Sequence, residues 1–167
     1  FGLCCEEMNF VESFGIPTFC VPGISSAMAV PAYQGIPVTK RGVAESFWVI
    51  TGTTSDRDLS KDIALAAKSS ATVVILMGMS KLSQIVALFQ MEFKGETAVA
   101  IIQNGTTPQE KSGIGTIDTI QEIVLEKNLS SPAIIIIGDV VSDSVKMKVF
   151  FDEQRTNFNK FAIYGKE

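Results

Sequence analysis

Four short stretches of this chain place small residues, hydroxyls or a carboxylate directly after an apolar, β-prone run. They are Pro22-Gly23 with Ser25-Ser26, Met77-Gly78, Asn104-Gly105-Thr106 and Gly138-Asp139. Glycine at such places lets a ligand approach the backbone, and hydroxyls give the approach direction. In open α/β sheets the ligand crevice lies outside the carboxyl ends of the strands, which is where these stretches fall. Each taken singly is also an ordinary strand-to-helix turn. The chemistry on offer is positioning rather than proton relay. The chain has no histidine, which removes Ser-His and Cys-His nucleophilic pairs and most zinc sets. Proton transfer falls to carboxylates, lysine, tyrosine or the substrate itself. No G-x-G-x-x-G or P-loop occurs, so a pyrophosphate grip is not expected.

Other candidates carry two readings. Met77 is either a core side chain or a ligand contact, and Asp139 is either a turn-capping carboxylate or a catalytic one. Glu6-Glu7 read as solvated charges at a helix start, where they complement the dipole. The adjacent pair Cys4-Cys5 has poor disulfide geometry and no partner ligands, so no redox chemistry and no metal are assigned to it.

Elements must hold these residues in place, and the pattern supplies them. Short β-rich runs alternate with segments of helical period, the signature of an α/β layer fold. Glu6 to Phe14 is expected to be a helix with Met8, Val11 and Phe14 on one apolar face. Thr18 to Val21 follows as a short buried strand, then Ser25 to Gln34 as a weaker helix interrupted by Pro31. Pro37 and Gly42 bracket a linker. Strands are expected at Ser46–Thr51, Thr72–Leu76, Ala98–Ile102 and Ala133–Ile137, with a further extended piece at Lys111–Ile117. Helices are expected at Leu59–Lys68, with Ile63, Ala64 and Ala67 inward, and at Lys81–Phe93. A last one, capped by Asp118, runs to about Glu126. The pattern decays after Ser142, and no role is assigned to 143–167.

At 167 residues with 46% hydrophobic content, the chain fills one domain or parts of two. A net charge of −4 with scattered Lys and Arg argues against nucleic acid. No apolar run reaches the roughly 18 residues that span a bilayer. Three cysteines make a poor disulfide framework and point to the cytoplasm. Phe1 is not an initiator, and the chain reads as the C-terminal part of a longer protein.

The segment Val21 to Gly42, VPGISSAMAVPAYQGIPVTKRG, resembles one in the tetrapyrrole methylases, specifically the uroporphyrinogen-III C-methyltransferases. The resemblance extends over roughly Phe1 to Val141. It takes in the VPG-hydroxyl run at Val21–Ser26, the GIP-V-T-x-R-G linker at Gly35–Gly42 and Met77-Gly78 after a strand. It continues through NGT-x-P-Q at Asn104–Gln109, Gly115-Thr116, and the P-A-strand-G-acid-V-V ending at Pro132–Val141. It implies a two-lobed α/β methyltransferase with S-adenosylmethionine in the cleft between lobes. In this chain that leaves the end of the first lobe at 1–38, a complete second lobe with a mixed sheet at 39–142, and a tail at 143–167. It implies cofactor contacts at Ser25, Ser26, Met77 and Gly105, with Pro132 and Ala133 beside the adenine.

The implied reaction is C-methylation of uroporphyrinogen III to precorrin-2, via precorrin-1, for sirohaem and cobalamin synthesis by a homodimer. Alternatives are another precorrin or diphthine-type methyltransferase, or a non-catalytic α/β ligand-binding module. A sulfonium methyl is already electrophilic, so the reaction needs orientation more than a strong nucleophile, and the absence of histidine does not count against it. Lys40-Arg41 would then face substrate propionates or simply lie solvated. Departures are Leu3-Cys4 where the family has an arginine and a glycine, and Lys111 where it has an arginine, which keeps charge but loses the bidentate fork. The family's acidic G-x-G-P-G-D loop has no counterpart after Phe1, so catalytic residues are expected upstream and the chain alone is expected to turn over little or no substrate.

Overall fold

The structure, a computed structural model, describes residues 4–142. The expected tail at 143–167 and the departure at Leu3 lie outside the described residues.

The first described element, α1 (Cys4–Glu12), buries none of its residues. Its expected apolar face is therefore not covered: Met8 and Val11 are half-exposed and Phe14 is 68% exposed. The expected strand at Thr18–Val21 does not form, and Phe19 and Val21 lie open to solvent. A strand exists by its ladder, and no described strand pairs with this segment. Helix α2 (Ser26–Tyr33) begins at a Ser25 N-cap and accommodates Pro31 within its last turn.

Among the described residues five strands follow: β1 (Phe47–Thr51), β2 (Thr72–Leu76), β3 (Ala98–Gln103), β4 (Lys111–Thr116) and β5 (Ala133–Ile137). They form one mixed sheet in the order β1-β2-β5-β3-β4. The β1–β2 pair is parallel, while β5 runs antiparallel to both β2 and β3. Hence β1, β2 and β3 point one way, and β5, the last of the described strands, threads between β2 and β3 in reverse.

Side chains alternate across this sheet with period two, and both sides are covered. Val73, Ile75, Val99, Ile101, Ile135 and Ile137 face a core built with α3 (Asp62–Lys68), α4 (Leu82–Met91) and α5 (Ile120–Glu126). Val74, Ala100, Ile102, Ile134 and Ile136 face the other way, against Ala27 and Val30 of α2, Ile36 and Ala44. A strand buried on both faces reads as an unbroken apolar run, which is why Ala133–Ile137 is so conspicuous in the sequence.

Two local expectations change. Helix α3 starts at Asp62, because Leu59 is instead bridged to Thr53, and Ala66 rather than Ala64 takes the fully buried position. Asp118 does not cap α5; Thr119 holds that place without a side-chain cap. The Asp118 carboxylate accepts from Gln90 Nε2 at 2.7 Å, tying α4 to the loop before α5.

Candidate functional site

Strand direction decides which of the four small-residue stretches share a place. The carboxyl ends of β1, β2 and β3 lie on one edge, so Gly52, Met77-Gly78 and Asn104-Gly105 gather there. Because β5 is reversed, its amino end joins them. Gln103 pairs with Ala133, and Asn104 N donates to Pro132 O at 3.0 Å. Met77, Gly105, Pro132 and Ala133 are thereby brought to one edge. Gly138-Asp139, at the far end of β5, sits on the opposite edge beside Ala98 and Thr72, through a Gly138 N–Ala98 O bond of 2.9 Å. It does not belong with the other three stretches.

The edge is built for close approach. A Cβ on Gly52 would lie 2.6 Å from Gly78 Cα, so the two turns pack backbone on backbone. Gly52 N donates to Leu76 O at 2.6 Å, and Thr53 Oγ1 donates to Met77 O at 2.8 Å. Met77 is left-handed (φ 53°) and 64% exposed, so its side chain stands out from the edge instead of filling the core. Asn104 (φ 50°) and Thr106 (φ 68°) are left-handed as well. Non-glycine residues resist that conformation and persist in it where surrounding contacts impose it, a pattern that concentrates at ligand sites.

Ser25 and Ser26 are joined to this edge through α2. Ser25 Oγ accepts from Ala27 N at 3.2 Å as an N-cap, which leaves its proton to donate elsewhere; Ser26 is exposed in the first turn. One turn further, Val30 occupies the space beside Gly105, where an added Cβ would lie 2.6 Å from Val30 Cγ1. The hydroxyl pair and the asparagine-glycine corner thus stand on two elements in direct contact.

Several residues of the edge escape a reading of motifs. Gly52 and Thr53 follow β1 just as Met77-Gly78 follow β2, and the Thr51-Gly52-Thr53 run carried that signal. Glu110, next to the NGT-x-P-Q run, accepts hydrogen bonds from Gln34 Nε2 and Thr106 N. Lys40 and Arg41 are exposed in a linker closed by a Lys40–Ala44 bridge. Cys5 is exposed, but Cys4 Sγ lies 3.9 Å from Cys20 Sγ, a proximity that sequence separation concealed. Hydrogen bonding to Cys20 raises the Cys4 thiol pKa above its ordinary value.

Comparison with known proteins fits this geometry. The model of the tetrapyrrole (corrin/porphyrin) methylases matches residues 1–121. The chain belongs to that family. A uroporphyrinogen-III C-methyltransferase of Methanocaldococcus jannaschii is 40% identical over 144 residues, 85% of this chain and 60% of that protein. One from Bacillus subtilis is 36% identical over 155 residues, 92% of this chain and 60% of its own length. Among solved structures, the uroporphyrin-III C-methyltransferase of Thermus thermophilus complexed with S-adenosylhomocysteine superposes with a TM-score of 0.71 at 26% identity. That match covers 85% of this chain and 62% of that one. The chain therefore spans about 60% of the length of these methylase relatives.

Proposed function

We propose that this chain is part of an S-adenosylmethionine-dependent methyltransferase that converts uroporphyrinogen III to precorrin-2 on the way to sirohaem and cobalamin. The observation that carries the reading is the shared edge: Met77, Gly105, Pro132 and Ala133 from three strands, with Ser25 and Ser26 on the helix packed against it. Relatives bearing the uroporphyrinogen-III C-methyltransferase name support the substrate, and the S-adenosylhomocysteine complex of the Thermus relative supports the cofactor.

On this reading residues 1–38 close one lobe and 39–142 form the second. Met77 reaches outward to the cofactor, Ser25 and Ser26 offer hydroxyls, and the Gly105 and Pro132-Ala133 backbone forms the opposing lip. The edge donates no strong base, so the chain's own contribution is to orient a methyl group that is already electrophilic. Lys40 and Arg41, both exposed, would meet substrate carboxylates on this reading. Among the described residues no helix is long and apolar enough to cross a membrane. The reading carries with it a cytoplasmic homodimer that engages neither membrane nor nucleic acid; the free thiols of Cys4, Cys5 and Cys20 support a reducing compartment.

The test is transfer of labelled methyl from S-adenosylmethionine to uroporphyrinogen III, by the chain alone and complemented with the part of a relative it does not span. Expected are little or no turnover alone and clear turnover on complementation. Rapid turnover by the chain alone refutes the incomplete-enzyme reading. Absence of both S-adenosylhomocysteine binding and turnover in the complemented protein refutes the methyltransferase reading in favour of a non-catalytic module.

A further inference from the structure

We propose that Glu110 is a positioning residue that latches the Asn104-Gly105-Thr106 corner onto α2, setting the separation between the Gly105 lip and the serines that open that helix. What the latch is for rests on the cofactor reading above; that it exists rests on the geometry alone.

The two oxygens of the half-buried Glu110 carboxylate are divided between two elements. Oε1 accepts from Nε2 of Gln34, the buried C-cap residue of α2. Oε2 accepts from the backbone N–H of Thr106 at 2.8 Å. Hydrogen bonds to a charged acceptor are roughly twice as strong as neutral ones, so one side chain makes two strong ties in opposite directions.

The corner needs such a tie. Asn104 and Thr106 are both left-handed, and the bonds within the corner only close it on itself. Thr107 Oγ1 donates to Asn104 O at 2.7 Å, and Glu110 N donates to Thr107 O at 3.1 Å. Asn104 N donates to Pro132 O, which anchors the corner to β5. Toward α2 there is the apolar contact of Val30 on Gly105, which sets distance but not direction. The Gln34–Glu110–Thr106 chain adds direction, spanning from the end of α2 to the residue after Gly105.

Glu110→Ala and Glu110→Gln separate the roles. A glutamine can still accept from Thr106 N–H with its amide oxygen, but without the charge. The first readout is hydrogen exchange of the Thr106 amide in the 167-residue chain, with Ile75 and Ile135 amides as an internal measure of global stability. Expected is exchange faster by roughly tenfold or more in Glu110→Ala, the loss of one charge-assisted bond, with the β2 and β5 amides little changed and Glu110→Gln, which keeps a neutral acceptor, between Glu110→Ala and the parent. Unchanged Thr106 exchange in Glu110→Ala overturns the latch. So does acceleration that Ile75 and Ile135 share equally.

The second readout is S-adenosylhomocysteine affinity of the complemented protein. It is expected to fall roughly tenfold in Glu110→Ala and to recover in part in Glu110→Gln. Equal affinity in all three proteins overturns the positioning role. Failure of the parent to bind S-adenosylhomocysteine overturns the cofactor reading, while the Thr106 exchange result still decides the latch.

Discussion

Gly105 and Val30 make a quantitative test of how tightly the corner sits on α2. The Gly105 φ is not left-handed, so an alanine there meets no backbone penalty and its cost is purely steric. Its Cβ would stand 2.6 and 2.7 Å from the two Val30 methyls and 3.2 Å from Val30 Cβ. Favourable carbon contacts lie near 3.5–4.0 Å, so the overlap is about 1 Å. Val30 is 4% exposed, and a β-branched side chain on a helix has one strongly preferred rotamer, so it cannot swing clear.

Overpacking of this kind costs about 1–3 kcal/mol, offset by about 0.4–1 kcal/mol from the stiffer unfolded chain. Gly105→Ala is thus expected to destabilise by about 1–2 kcal/mol. Val30→Ala removes two buried methyls, about 0.8 kcal/mol each plus a cavity term, for about 2 kcal/mol. In the double variant the new methyl enters space the old ones left. Urea unfolding with unchanged m-values should show the pair less destabilised than the sum by about 1–2 kcal/mol. Additivity within about 0.5 kcal/mol, or a harmless Gly105→Ala, refutes the close packing.

Three further outcomes follow from single sites. Phe93 is 99% exposed and left-handed (φ 58°), so Phe93→Gly should raise the urea midpoint by the equivalent of up to about 1 kcal/mol, since no packing is lost. Thr72 is fully buried, and its Oγ1 has no hydrogen-bond partner among the described residues; Thr72→Val should stabilise by about 1 kcal/mol, read as a higher thermal midpoint. The Cys4 thiol holds its proton to higher pH because it hydrogen-bonds Cys20, so at a given pH less thiolate is present. Its alkylation by iodoacetamide should set in at higher pH than in a Cys20→Ala variant, and identical profiles would refute the contact.

Legibility of the chain followed the physics of each element. Thr72–Leu76 and Ala133–Ile137 were readable to the residue because two-sided burial leaves a compact apolar run with turn formers at its ends. The linear chain does not carry strand direction, and direction decided the site. Reversal of β5 removed Gly138-Asp139 from the group and brought Pro132 and Ala133 into it. The Thr18–Val21 segment shows the converse limit: its composition is that of a strand, but a strand is fixed by neighbours. Glu110 was invisible for a related reason. Its partners, Gln34 and Thr106, are remote or backbone, and no spacing rule links a carboxylate to either. Asp118 misled because an acidic residue before a helix is usually a cap, whereas here a distant glutamine claims it.

The run Ile134–Ile137 carries a hazard that its neighbours must contain. Sliding this strand by one position would exchange isoleucine for isoleucine on both sides, so the interior can barely tell the right alignment from the wrong one. Discrimination then falls to the bonds at its two extremities, Asn104 N to Pro132 O and Gly138 N to Ala98 O. The first of these lies on the edge where Met77 and Gly105 gather. The same contact that holds the Asn104-Gly105 corner to β5 therefore also acts as a stop against misthreading, and substitutions there should show themselves first as aggregation during refolding rather than as weakened binding.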